Sequence, residues 1–214
     1  MAETVKNWRD DRRNAILDVA HRSFLEHGYA ATSMSAIAAK LGGSKTTLYN
    51  YFPSKDDLFL AVAKAQSVRV MSRLYGDTEY TGDAKAVLTT FCTRFMGEIF
   101  HPESVELLRM VIAQAPQFPE IGRNFYRECI DQGVIHAESF LRKMADDGRL
   151  SVENPHKAAS FLLSLCSGVL HLRHLLCLED PLGDPQNIRN YAEDIVWHFL
   201  KAYGTDSAGQ LSCG

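Results

Sequence analysis

Three features of this 214-residue chain predict an all-α fold. Apolar residues recur at three-to-four spacing from Ile16 to Phe199, the period of an amphipathic helix. No stretch sustains the alternation of a strand, and no strand-turn-strand signature occurs. Breakers fall between the periodic stretches, at Gly42-Gly43, Pro53, Gly76-Asp77, Pro102, Pro116 with Pro119, Gly148, Pro155 and Pro181 with Pro185.

The elements follow in order. Ile16, Val19, Ala20 and Phe24 form a first helical stripe, which Glu26 to Tyr29 ends. Ser33 is placed to cap a short second helix whose inner face is Ile37, Ala38 and Leu41. Gly42-Gly43 ends that helix, because glycine accepts a positive φ. A third short helix puts Leu48 and Phe52 inward and leaves Lys45, Thr46, Tyr49 and Asn50 outward. Pro53 stops it, and Ser54 with Asp57 resembles a capping box opening the next helix through Leu58, Val62 and Ala65. Helices are then expected over 54–75, 83–101, 103–115, 118–146, 154–178 and 186–203, with a frayed polar tail at 205–214. A short helix, apolar inside and polar outside, after a glycine turn suits a DNA groove; this is a helix-turn-helix over about 35–54.

The run GYAATSMSAIAAKLGGSKTTLYNYFPSKDDLFLAV resembles the DNA-binding domain of TetR-type transcriptional regulators, over roughly residues 11–64. Its LYNYFPSKDDL segment is the most specific part. Gly43 departs from the family pattern, which has a small aliphatic residue there and so a firmer turn. Thr46 stands where glycine or alanine is frequent, which alters base preference. The resemblance implies DNA contacts at Ser33, Met34, Gly43, Ser44, Lys45, Thr46, Thr47, Tyr49, Asn50, Tyr51 and Lys55. Lys45, Thr46 and Thr47 would lie near base edges, with Tyr49, Tyr51 and Lys55 on the sugar-phosphate backbone. The segment LLRMVIAQAPQFPEIGRNFY, residues 107–126, is similar to the AefR-like C-terminal domain of one subgroup, extending to about Tyr203. A DNA-binding domain at 11–71 and a helical effector-binding and dimerisation domain at 72–204 are the expected division.

Charge agrees once it is divided. Residues 1–65 hold nine Lys/Arg against seven Asp/Glu, and the remainder holds fourteen against nineteen. DNA affinity should therefore rest on a few placed phosphate contacts rather than on a broad basic field. No apolar run approaches bilayer length and the N-terminus has no signal core, so a cytoplasmic protein without membrane association is expected. The five cysteines (92, 129, 166, 177, 213) lack CxxC spacing and read as buried thiols.

Helix 154–178 is apolar nearly all round, so something must cover both faces. A second copy of the chain is the simplest cover, with Phe161, Leu165, Val169, Leu172, Leu176, Ile195 and Phe199 in a two-fold four-helix contact. The family resemblance likewise implies a homodimer on a palindromic operator. It also implies a small, usually apolar effector in the helical domain. Phe91, Phe95, Met110 and Phe125, with Arg94, Cys129 and His136, are the candidate lining among helices 83–101, 103–115 and 118–146, although aromatics at this spacing are more often plain core.

Other chemistry finds little support. His171 and His174 could join Glu179 on a metal, but a satisfied interface histidine is the commoner case. GGSKTT lacks the phosphate-loop pattern, and no GxSxG surrounds Ser164 or Ser167. No cofactor, metal or enzymatic activity is expected. The reading is a DNA-binding regulator, a repressor released by an apolar or amphipathic effector. The alternatives are a regulator without an effector, or a helical carrier or enzyme with a vestigial DNA-binding end.

Overall fold

The computed structural model describes residues 2–75, 82–178 and 184–205, without the side chains of 2–8 and 75. The breaks at Gly76-Asp77 and Pro181, the tail beyond 205, Glu179 and Cys213 lie outside the described residues. The regular elements among the described residues are all helices, with one isolated bridge between Leu150 and Gly204. They form two compact units, one running to Val68 and including Glu106–Cys129, the other comprising Arg69–Val105 and the chain from Ile130.

The first unit begins with α1 (Ala2–Ala31), broken at Gly28, where φ is 75°. Thr32 Oγ1 closes this end by donating to the carbonyls of Ser23 and Gly28 at 3.0 and 2.8 Å. α2 (Met34–Lys40) starts on Ser33, whose hydroxyl accepts the Ala36 amide at 3.1 Å. It ends in a paired glycine cap: Gly43 N donates to Ala38 O, Gly42 N donates to Ala39 O, and Gly42 takes φ 62°. α3 (Lys45–Tyr51) is capped by Ser44, and α4 (Lys55–Tyr75) by Ser54, which accepts the Asp57 amide at 3.0 Å. Ile16, Ala20, Phe24, Ile37, Leu48, Phe52, Leu58, Phe59 and Val62 are buried together. Phe24 meets the Phe59 ring edge-on at 5.2 Å.

Leu107, Met110 and Val111 of α6 (Pro102–Gln114) and Ile121 of α7 (Pro119–Phe125) belong to this same core. The expected division at 71/72 put them in the other domain. Periodicity reveals that a helix has an apolar face but not which neighbours cover it.

The second unit holds α5 (Ala84–Ile99), α8 (Gln132–Asp146), α9 (Pro155–Leu175) and α10 (Pro185–Tyr203). α8 packs on α9, α10 on α5, and α9 also meets α5 and α10. Val87, Phe91, Cys92 and Met96 face Ala137, Leu141, Ala158, Leu162, Val196 and Phe199 in its core. Asp83, Asn154 and Asp184 cap α5, α9 and α10, the last two followed by proline in the first turn.

Two helices differ from expectation. The 118–146 stretch contains a π-helical segment, Tyr126–Asp131, between α7 and α8. α9 breaks at Gly168 (φ 36°, ψ −140°), a conformation that L side chains avoid. α9 also corrects the expectation about bilayer length. Its 21 residues include an 18-residue stretch of mean hydropathy 1.2, long and apolar enough to cross a membrane by length and composition. Its buried residues are Ala158, Ala159, Leu162 and Cys166, and much of the remaining apolar surface is exposed.

Candidate nucleic-acid interface

α3 presents the face its sequence predicts. Leu48 and Phe52 are buried, while Lys45, Thr46, Tyr49 and Asn50 are exposed. Lys45 Nζ stands 5.7 Å from the centre of the Tyr49 ring, so the two side chains lie together on the outer face. The hydroxyls of Ser44 and Thr47 are 2.9 Å apart, which leaves Thr47 half-buried and engaged in the helix cap. Ser33 is exposed but its oxygen serves the α2 cap. Gly43 is half-exposed in the turn. Tyr51 is half-buried against the core.

Two expected contacts are corrected. Met34 is buried at 5% exposure, because its spacing to Ile37 and Ala38 turns it into the core. Lys55 is half-buried, and its ammonium donates to the carbonyls of Tyr29 and Thr32 at 3.0 and 3.1 Å. It also stands 4.3 Å from the Tyr29 ring centre. Burial holds its pKa below the ordinary value of 10.5. Two of its three N–H donors thus close the end of α1.

Neighbouring cations are sorted by their partners. Lys40 pairs with Glu26 at 3.1 Å, which with its hydrogen bond keeps the Glu26 carboxyl below its usual range. Lys64 pairs with Glu128 at 2.6 Å. Arg12 reaches the turn at Gly43, and Arg13 lies 5.3 Å over the Phe52 ring. Neither arginine is among the expected contacts, and their position one turn before Ile16 is the signal the sequence offers.

The seven candidate ligand residues are divided between the two units. Met110, Phe125 and Cys129 belong to the first unit, and Phe91, Arg94, Phe95 and His136 to the second. Phe91 is fully buried, stacked on Phe140 at 4.8 Å and on Phe95 at 6.2 Å. His136 is exposed and bonded to the Gln132 carbonyl at 2.7 Å. Cys129 rests against the Ala63 carbonyl, and burial pushes its thiol up to about 11. Of the seven, only Arg94 lines a cleft of about 450 Å³ in the second unit, with Arg73, Leu74, Thr93, Gly97, Glu98, Pro185 and Ile188.

The α9 face divides in the same way. Phe161, Leu165, Val169, Leu172 and Leu176 are exposed, Val169 at 76%. Ile195 and Phe199, expected at an interface, are corrected to core, because the inner face of α10 packs on its own unit. His171 and His174 flank the Phe100 ring, and no cluster of three or more metal-binding side chains occurs among the described residues. Cys92 and Cys166 are buried, and the Cys166 thiol together with burial raises the Cys92 pKa. Cys177 is exposed, against expectation.

Residues 16–62 match the model of bacterial regulatory proteins of the tetR family, and residues 86–205 match that of the AefR-like transcriptional repressor C-terminal domain. The HTH-type transcriptional regulator YezE of Bacillus subtilis is 29% identical over 66% of this chain and 77% of its own. The HTH-type transcriptional activator FasR of Mycolicibacterium smegmatis is 34% identical over 44% of this chain and 42% of its own. Among solved structures, a TetR-family transcriptional regulator from Mesorhizobium loti superposes with a TM-score of 0.83 at 24% identity, covering 92% of this chain and 98% of its own. The flavonoid-responsive regulator FrrA gives 0.75 at 29%, covering 92% and 99%.

Proposed function

Because the chain belongs to the TetR family of bacterial regulatory proteins, a family of DNA-binding transcription regulators and not of enzymes, we propose that it is a cytoplasmic repressor. It binds a palindromic operator as a homodimer and leaves it when a small apolar or amphipathic effector binds. The outer face of α3, with Lys45, Thr46, Tyr49 and Asn50 over a buried Leu48/Phe52 base, is the observation that carries DNA recognition. The exposed row from Phe161 to Leu176 on α9 supports the dimer, since an apolar row of that length calls for cover. Repression is supported by the likeness of residues 86–205 to a repressor domain. The effector class is supported by the likeness to FrrA, a flavonoid-responsive regulator.

Two recognition helices related by a two-fold axis enter successive major grooves about 34–36 Å apart. An effector that prefers another spacing lowers DNA affinity by its differential binding to the two states. One observation favours a regulator without an effector: Phe91 is buried in the core with Phe95 and Phe140 stacked on it. Selection of bound duplexes from a random pool tests the first reading, which requires an inverted repeat among the recovered sequences. Melting the protein with a panel of apolar and amphipathic compounds, flavonoids included, separates the two. A raised Tm with loss of DNA binding supports the effector, and no shift across the panel supports the effector-free regulator.

A further inference from the structure

Gly43 directly precedes Ser44, the cap of α3. A Cβ at position 43 would stand 2.9 Å from Nη2 of Arg12, closer than real side chains come. Gly43 is not among the glycines with positive φ, unlike its neighbour Gly42. The missing side chain therefore provides room rather than a backbone conformation, and the Arg12 guanidinium occupies that room. Arg12 is half-buried there, and no carboxylate among the described residues pairs with it. The next residue, Arg13, holds its guanidinium over Phe52, the C-cap of α3. Two consecutive residues of α1 thus place cations at the two ends of the helix whose outer face is Lys45, Thr46, Tyr49 and Asn50.

A planar guanidinium beside a DNA-reading helix suits a phosphate oxygen, which fixes register without reading sequence. We propose that Arg12, seated on Gly43, is a phosphate contact that sets the register of α3 in the major groove, and that the absent side chain at position 43 positions it. The proposal rests on the DNA-binding reading above.

The full chain is titrated by fluorescence anisotropy, over a salt series, against the selected duplex and a mixed-sequence duplex of equal length. Arg12→Ala weakens both alike, by roughly two- to fivefold for a solvent-exposed ion pair. It also makes the slope of log K against log salt shallower by about 0.9. Gly43→Ala is the second variant. The new methyl meets only the far end of a flexible side chain, so the fold and Tm are retained while the guanidinium is displaced. Its loss matches that of Arg12→Ala and adds nothing in the double variant. An unchanged salt slope in Arg12→Ala, or additive losses in the double variant, overturns the proposal while leaving DNA binding intact. A wild-type chain that binds neither duplex overturns the DNA-binding reading and this proposal with it.

Discussion

Replacing Lys55 with methionine removes an ammonium and keeps most of the aliphatic stem. In the fold that ammonium bonds to Tyr29 O at 3.0 Å and Thr32 O at 3.1 Å, and faces the Tyr29 ring. Charge-assisted hydrogen bonds contribute about 1.5–3 kcal/mol each, and an exposed cation–π contact about 0.5–1. Lys55 is half-buried, so water replaces part of what is lost. A net destabilisation of about 2 kcal/mol follows, or a fall in Tm of roughly 4–8 °C for a chain of this size. Circular-dichroism melts of Lys55→Met and wild type measure it, and anisotropy titrations below the melting range give the salt slope. The expected result is the lower Tm with an unchanged slope. An unchanged Tm with a slope shallower by about one would refute the reasoning and return the ammonium to a phosphate.

Other perturbations probe other parts. Val169→Asp puts a charge on the 76%-exposed centre of the α9 row, where one chain alone tolerates it. Burying it twice in a dimer raises the dissociation constant at least about a hundredfold, and a sedimentation profile identical to wild type would dismiss this face. Burial, with His174 beside it, holds the His171 pKa below 6.5, so the unfolded chain binds that proton more readily. The contribution of His171 to stability is complete above pH 6.5 and is lost as pH falls toward the lowered value. The Tm of His171→Gln should therefore decline less steeply below that pH, and parallel acid limbs in the two proteins would rule this out.

Local chemistry was legible in the sequence. Ser33 and Ser54 sit where capping requires a hydroxyl, and Gly42 takes the left-handed conformation that ends α2. Leu48 and Phe52, four apart, set the inner face of α3 and so its outer one. Less legible was anything that depends on which element covers a given face. Ile195 and Phe199 are spaced four apart as Leu172 and Leu176 are, yet the first pair is core and the second is exposed. Lys55 looked like a free cation because the carbonyls it bonds lie 23 and 26 residues away. The break in α9 was marked only by Gly168, a residue that helices also tolerate without breaking. The seat of Arg12 depended on an absent side chain 31 positions later, which helical periodicity does not register.

The central claim is that two copies of α3 read one duplex from a two-fold dimer. Binding of the purified chain to the selected duplex, before and after inserting half a helical turn (about five base pairs) between the half-sites, tests it most directly. The account predicts two chains per duplex and loss of specific binding on insertion, because the second helix then faces the wrong side of the DNA. One chain per duplex, or affinity that survives the insertion, would contradict it.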